Sequence, residues 1–154
     1  MSNALMIAAQ AGFVIVGAWL THIDIREHRL PNRIVAPLAG GLLVLAVLAT
    51  LASGSIAELS RAVAGSLILG CFYLVLRAAS RRALGGGDVK LAVPIGFLLA
   101  WDGWIPLIAG GGLAFILGGI WSILILVTRR GTARTPIAFG PFMVLGALVG
   151  LAIT

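Results

Sequence analysis

The sequence predicts an all-α polytopic membrane protein with six transmembrane helices and both termini on the non-cytoplasmic side. Three observations carry that prediction: an apolar composition, six long apolar runs, and basic residues confined to alternate connections. Of 154 residues, 60% are hydrophobic and only 10% charged, and mean hydropathy is +1.13. A soluble domain carries roughly 25% charged residues to cover its surface. The composition therefore excludes a soluble globular domain and a disordered tail. A lone cysteine, Cys71, excludes a disulfide-stapled secreted domain and a thiolate zinc site. At about 150 residues per domain, residues 1–154 are expected to form one integral-membrane domain.

A helix needs about 20 mostly apolar residues to cross the hydrocarbon core. Residues 4–22 and 34–52 supply the first two. Residues 62–76 supply the third, bracketed by Arg61 and Arg77, whose long stems can reach the interfaces. Residues 91–101 are apolar but short, a length also typical of re-entrant segments. Residues 104–127 and 137–153 complete the set.

Charge placement arbitrates the short fourth run. Arg26, Arg29 and Arg33 fall in the first connection, Arg77, Arg81, Arg82 and Lys90 in the third, and Arg129, Arg130 and Arg134 in the fifth. Arg61 alone among the basic residues lies elsewhere. If all six runs cross, the odd connections share one side, and the positive-inside rule makes that side cytoplasmic. If residues 91–101 did not cross, the last three arginines would be translocated. The net charge of +6 thus reads as topology, with anionic lipid as the partner of the basic loops and no nucleic acid. Basic residues follow the first run instead of preceding it, the wrong order for a cleaved signal peptide, so that run is expected to be retained.

Glycine is plentiful, 21 residues, roughly twice average usage. Gly146 and Gly150 form a small-xxx-small pair that lets helix backbones approach, and the glycines at 110–112 and 118–119 suit the same use. Pro37, Pro94 and Pro106 sit near the ends of their runs, where a missing N–H costs least.

Five acids remain to be placed. Glu58 and Asp102 fall in external connections and are expected to be solvated or headgroup-facing, and Glu27 lies in a basic loop. Asp24 closes the first run, and Asp88 follows three glycines just before the fourth. The topology puts both at the cytoplasmic ends of their helices, at similar depth. Two carboxylates brought close cannot both ionise cheaply, so they share a proton. Such a pair can polarise a carbonyl with its acid form and activate water with its base form. Two structural readings compete: Asp88 as a helix N-cap, and Asp24 as an interfacial acid paired with Arg26 or His28. The glycines are no phosphate loop, because no Gly-Lys-Ser/Thr follows. His22, His28 and Cys71 make no metal site, and no cofactor is implied.

At these residues the chain resembles the type IV prepilin peptidase family, intramembrane aspartic proteases of the GxGD type. Gly85-Gly86-Gly87-Asp88-Val89-Lys90-Leu91 matches the GxGD motif and its usual continuation. Asp24, with Pro31 seven residues later and then Asn32, matches the other aspartate motif. The stretch from Pro136 through Gly140-Pro141 resembles the Pro-x-x-x-Gly-Pro that opens the family's last helix. The resemblance implies a catalytic pair at Asp24 and Asp88. Gly85 and Gly87 would lend backbone freedom, and Lys90, Pro31 and Asn32 would be motif positions at the substrate side.

It further implies cleavage of the basic leader of prepilin-like precursors at the cytoplasmic face of the inner membrane, with pilus assembly machinery as a further partner. The first run begins within a few residues of Met1 and only Cys71 is present, unlike larger members with a paired-cysteine extension. N-methylation is therefore not implied. Arg26 also stands where many larger members carry a second acid. The short form looks closer to tight-adherence (Flp-type) or archaeal preflagellin peptidases. The rival readings are a small proton- or cation-coupled transporter and a non-catalytic membrane assembly subunit.

Overall fold

The computed structural model describes residues 2–27, 30–80, 84–128 and 138–153. They form six helices, α1 Ser2–Glu27, α2 Asn32–Ser53, α3 Ala57–Ala79, α4 Gly86–Asp102, α5 Trp104–Val127 and α6 Gly140–Ala152, and no strand among the described residues. Each expected apolar run corresponds to one helix. Residue 137 of the sixth run, His28, Pro136 and the basic residues Arg29, Arg81, Arg82, Arg129, Arg130 and Arg134 lie outside the described residues.

Four helical stretches are long and apolar enough to cross a bilayer: Ala4–Glu27, Asn32–Ser53, Ala57–Ala79 and Trp104–Ile125. Their outward faces carry large apolar side chains such as Ile15, Leu51, Val75 and Ile105. Water would not tolerate so continuous an apolar exterior, and hydrocarbon does. The molecule is a multi-pass membrane protein.

The short fourth run is the centre of the bundle. From Leu91 to Trp101 every residue of α4 except Val93 is buried, and a helix apolar on all sides belongs in the interior. α2, α3, α5 and α6 all pack on it. Its 17 residues span about 26 Å at 1.5 Å each. The helix starts five residues before the apolar run, so Pro94 lies mid-helix instead of near an end, fully buried.

Two glycine seams draw the helices together. On α3 and α4, a Cβ at Gly65 would stand 2.8 Å from the Gly96 carbonyl oxygen, and one at Gly96 would stand 2.5 Å from the Gly65 oxygen. Arg61 completes this seam. Its Nε donates to the Ala100 carbonyl at 2.7 Å and its Nη2 to that of Trp101, capping the α4 C-terminus, where a cation also suits the helix dipole. On α5 and α6, Gly110 meets Gly146 and Gly150, the close packing expected of that pair. Gly118 receives the Phe139 ring, whereas Gly112 and Gly119 face open space.

Asp102 departs from expectation. It is not solvated at the surface but half-buried, accepting a 2.8 Å hydrogen bond from Gln10 Nε2. Gln10 on α1 and Asp102 on α4 thereby fix the relative height of the two helices.

The seam gives a direct test. Gly96→Val places carbon against the α3 backbone and should lower stability by about 1–3 kcal/mol, the usual cost of overpacking. Gly12→Ala, where nothing lies within 4 Å, should leave it unchanged within about 0.5 kcal/mol. Thermal unfolding in detergent micelles reads both.

Candidate active site

Asp24 and Asp88 are the two buried charged side chains among the described residues, 4% and 5% exposed. Gln10 precedes Asp24 by as many residues as Asp102 follows Asp88, close to four helical turns on each helix. With Gln10 bonded to Asp102 at one end, the antiparallel α1 and α4 carry their two aspartates to one level at the other. The carboxylates lie within electrostatic reach of each other.

Asp24 sits in the last turn of α1, and its Oδ2 accepts the Gly140 N–H at 3.0 Å. That donor belongs to the first residue of α6, where the first four N–H groups lack helical partners. A Cβ at position 140 would stand 2.6 Å from Asp24 Oδ2, so only glycine admits the carboxylate this close.

Asp88 is not the N-cap of α4. Gly85 holds that position, and Asp88, at N3, reaches back so that its Oδ2 accepts the Gly85 N–H at 3.1 Å. This is half of a capping box, since glycine has no side chain to reciprocate. Burial, and then the charge of Asp24, push the Asp88 carboxyl up to about 7. The Gly85 N–H and the Arg77 guanidinium oppose that rise.

The three glycines before Asp88 each make room for a different neighbour. A Cβ at Gly85 would lie 2.9 Å from Asp88 Oδ2, one at Gly86 2.8 Å from Arg77 Nη1, and one at Gly87 2.7 Å from Leu30 Cβ. Gly85 has φ −62° and ψ 144°, open to any residue. The expected backbone freedom of Gly85 is thus corrected: close approach is what requires glycine here.

Pro31 caps α2 at its start, its carbonyl accepting the Ile34 and Val35 N–H groups at 3.0 and 3.2 Å. Lys90 Nζ donates to Asn32 Oδ1 at 2.7 Å on the exposed rim. The two aspartate motifs are therefore joined by a direct side-chain bond. Sequence reasoning named Gly140 only as part of a motif and passed over Arg77, whose Nη1 donates to the Leu84 carbonyl at 3.0 Å. It also passed over Tyr73, fully buried on α3 near Asp88. The signal for Tyr73 was compositional, one tyrosine against six phenylalanines.

Comparison with known proteins agrees with this architecture. The sequence model of the type IV leader peptidase family matches residues 11–123, most of the chain. The chain belongs to that family. It is 30% identical over 147 residues to a prepilin leader peptidase/N-methyltransferase of Stutzerimonas stutzeri, covering 92% of this chain and 50% of that protein. The protein of the same name from Escherichia coli K12 is 36% identical over 140 residues, 86% of this chain and 57% of its own length. That of Pseudomonas aeruginosa PAO1 is 31% identical over 151 residues, 92% and 49%. The chain spans about half the length of these curated relatives. No solved structure matches it.

Chemically, a buried pair of carboxylates with one raised above the ordinary range can hold one proton between them near neutral pH, an acid beside a base. Asp24→Asn removes the neighbouring charge but not the burial. Asp88 should then titrate at lower pH than in the unaltered protein, still above an exposed aspartate. The carboxyl stretch in pH-dependent difference infrared spectra reads this without any assay of activity.

Proposed function

We propose that this protein is an aspartic endopeptidase that removes the basic leader of type IV prepilin-like precursors at the cytoplasmic membrane face, with Asp24 and Asp88 as its catalytic pair. The observation that carries the reading is the convergence of the two buried acids at one end of the bundle, in a member of a leader peptidase family. Arg26, Arg33, Arg77 and Lys90 lie at that same end of the chain's helices, which the positive-inside rule assigns to the cytoplasm. On this reading all six helices cross the inner membrane, both termini face away from the cytoplasm, and residues 1–154 act as one unit.

The chemistry needs no covalent intermediate. The ionised carboxylate takes a proton from water while the water oxygen adds to the scissile carbonyl carbon. The carbonyl π pair moves to its oxygen, which takes the proton of the acid carboxyl. In the second half that proton returns to a carboxylate, the C–N bond breaks, and the amine leaves with the proton first taken from water. One water is consumed and the pair is restored. General acid and base catalysis of this kind contributes about 10²–10⁴-fold.

Substrate follows from placement. The aspartates lie at the bundle end marked by the exposed Lys90–Asn32 bond, so the leader would lie outside the bilayer there and the apolar helix after the cut within it. The substrate class we propose is a tight-adherence (Flp-type) or related pilin. Between the aspartates and the Gln10–Asp102 pair the packed side chains are apolar, Phe13, Leu20, Leu91, Ile95 and Leu98 among them. Among the described residues that offers no ladder of polar groups for a transported ion, which favours hydrolysis over transport. Methyl transfer, the other half of the relatives' name, is no part of the reading.

Co-expressed with a prepilin, Asp24→Asn and Asp88→Asn should each insert normally and slow leader removal by about 10³-fold or more. Unchanged processing in either variant refutes the pair, as an immunoblot for the shortened pilin would show. In detergent, the rate should be bell-shaped in pH. It falls as pH rises through the Asp88 value of about 7, where the shared proton is lost. It falls again on the acid side, where the base carboxylate is protonated.

A further inference from the structure

α3 and α4 meet through a contact ladder with a four-residue step. Arg61 bonds the Ala100 carbonyl at 2.7 Å, Gly65 lies on Gly96, and Arg77 bonds the Leu84 carbonyl at 3.0 Å. From Arg61 to Gly65 an advance of four along α3 is matched by a retreat of four along α4, and Arg77 with Leu84, just before α4 begins, keeps the same register. The same ladder sets Tyr73 directly across from Asp88. The phenol and the carboxyl interact electrostatically, although no hydrogen bond joins them.

The Tyr73 ring is held by aromatic neighbours, with centroids 5.1 Å from Phe115, 6.1 Å from Phe72 and 6.2 Å from Phe139. Phe139 immediately precedes Gly140, the donor to Asp24. Tyr73 thus borders the supports of both carboxylates. Its side chain is 1% exposed, and a buried tyrosine hydroxyl ordinarily finds a partner. Among the described residues this one makes no hydrogen bond. Thr21 Oγ1 is the sole fully enclosed side-chain oxygen without a partner among them, so the Tyr73 hydroxyl is not completely sealed off. Phenylalanine would fill the ring cluster equally well, and a hydroxyl in an apolar cluster is unfavourable unless something arrives to accept its proton.

We propose that the Tyr73 hydroxyl is a catalytic hydrogen-bond donor to the scissile carbonyl oxygen, strengthening as that oxygen gains charge on addition of water. This rests on the peptidase reading above and adds a third participant to it. The phenol keeps its own proton throughout. The proton transfers remain those of the two carboxyls, so the balance of the reaction is unchanged. Aimed donors of this type act on the transition state more than on the bound substrate.

The test is Tyr73→Phe in the full chain, assayed in detergent on a prepilin. The variant should keep the unaltered protein's thermal unfolding and its infrared titration of Asp88. Its kcat should fall about 10²–10³-fold, the range for loss of one such donor, with KM changed by less than about twofold. A purely structural tyrosine would shift unfolding and leave kcat in place, and that result overturns the proposal. So does a rise in KM alone, which would make Tyr73 a packing surface for substrate. If the unaltered protein cleaves and Tyr73→Phe cleaves equally fast, only this inference fails. If the unaltered protein leaves the prepilin whole, the peptidase reading fails and takes this with it.

Discussion

The burial of two carboxylates at one end of a helical bundle is the constraint that organises this molecule. An ionised carboxyl inside an apolar interior is expensive unless other groups compensate. Each aspartate has recruited a backbone N–H for that purpose, Gly140 for Asp24 and Gly85 for Asp88. Both donors come from the start of a helix, where backbone N–H groups lack helical partners. The second effect is mutual: burial and the charge of Asp24 raise the Asp88 carboxyl, which favours its protonated form and spares the interior a double negative charge.

Gly85 reaches Asp88 within its own turn, whereas Gly140 reaches Asp24 only because α6 lies close against α1. The seam of Gly65 and Gly96 lets α3 lie against α4 along its length, and Arg61 and Arg77 secure the two ends by bonding α4-side carbonyls. At the site, glycine recurs for the same steric reason. Positions 85, 86, 87 and 140 each face an atom that a methyl group would strike. The motif glycines and the packing glycines are therefore one design, in which backbone replaces side chain wherever polar atoms have to meet.

Much of this was legible in the sequence. Apolar run length located every helix, because in hydrocarbon the backbone satisfies itself only as helix and side chains follow the lipid. The short fourth run forms a helix, and burial of α4 on nearly all sides places it in the interior of the bundle. The aspartates stood out because so few acids were present. What was not legible depended on the third dimension. Asp102 looked like a wet turn residue, and only the height of α1 beside α4 pairs it with Gln10. Asp88 looked like an N-cap, since sequence cannot say whether a helix starts one residue or three before its acid. Gly140 and Tyr73 reach the site from α6 and α3, and no local pattern ties them to it.

The bond from Gly140 to Asp24 also has a bearing on synthesis. It joins the first helix to the last, across 116 positions of the chain. While the ribosome is still making the intervening helices, Asp24 has already entered the membrane but its donor does not yet exist. A copy that lacks α6 therefore lacks one of the contacts that hold this acid. The Asp24 side of the candidate site is thus completed only once α6 has packed against α1.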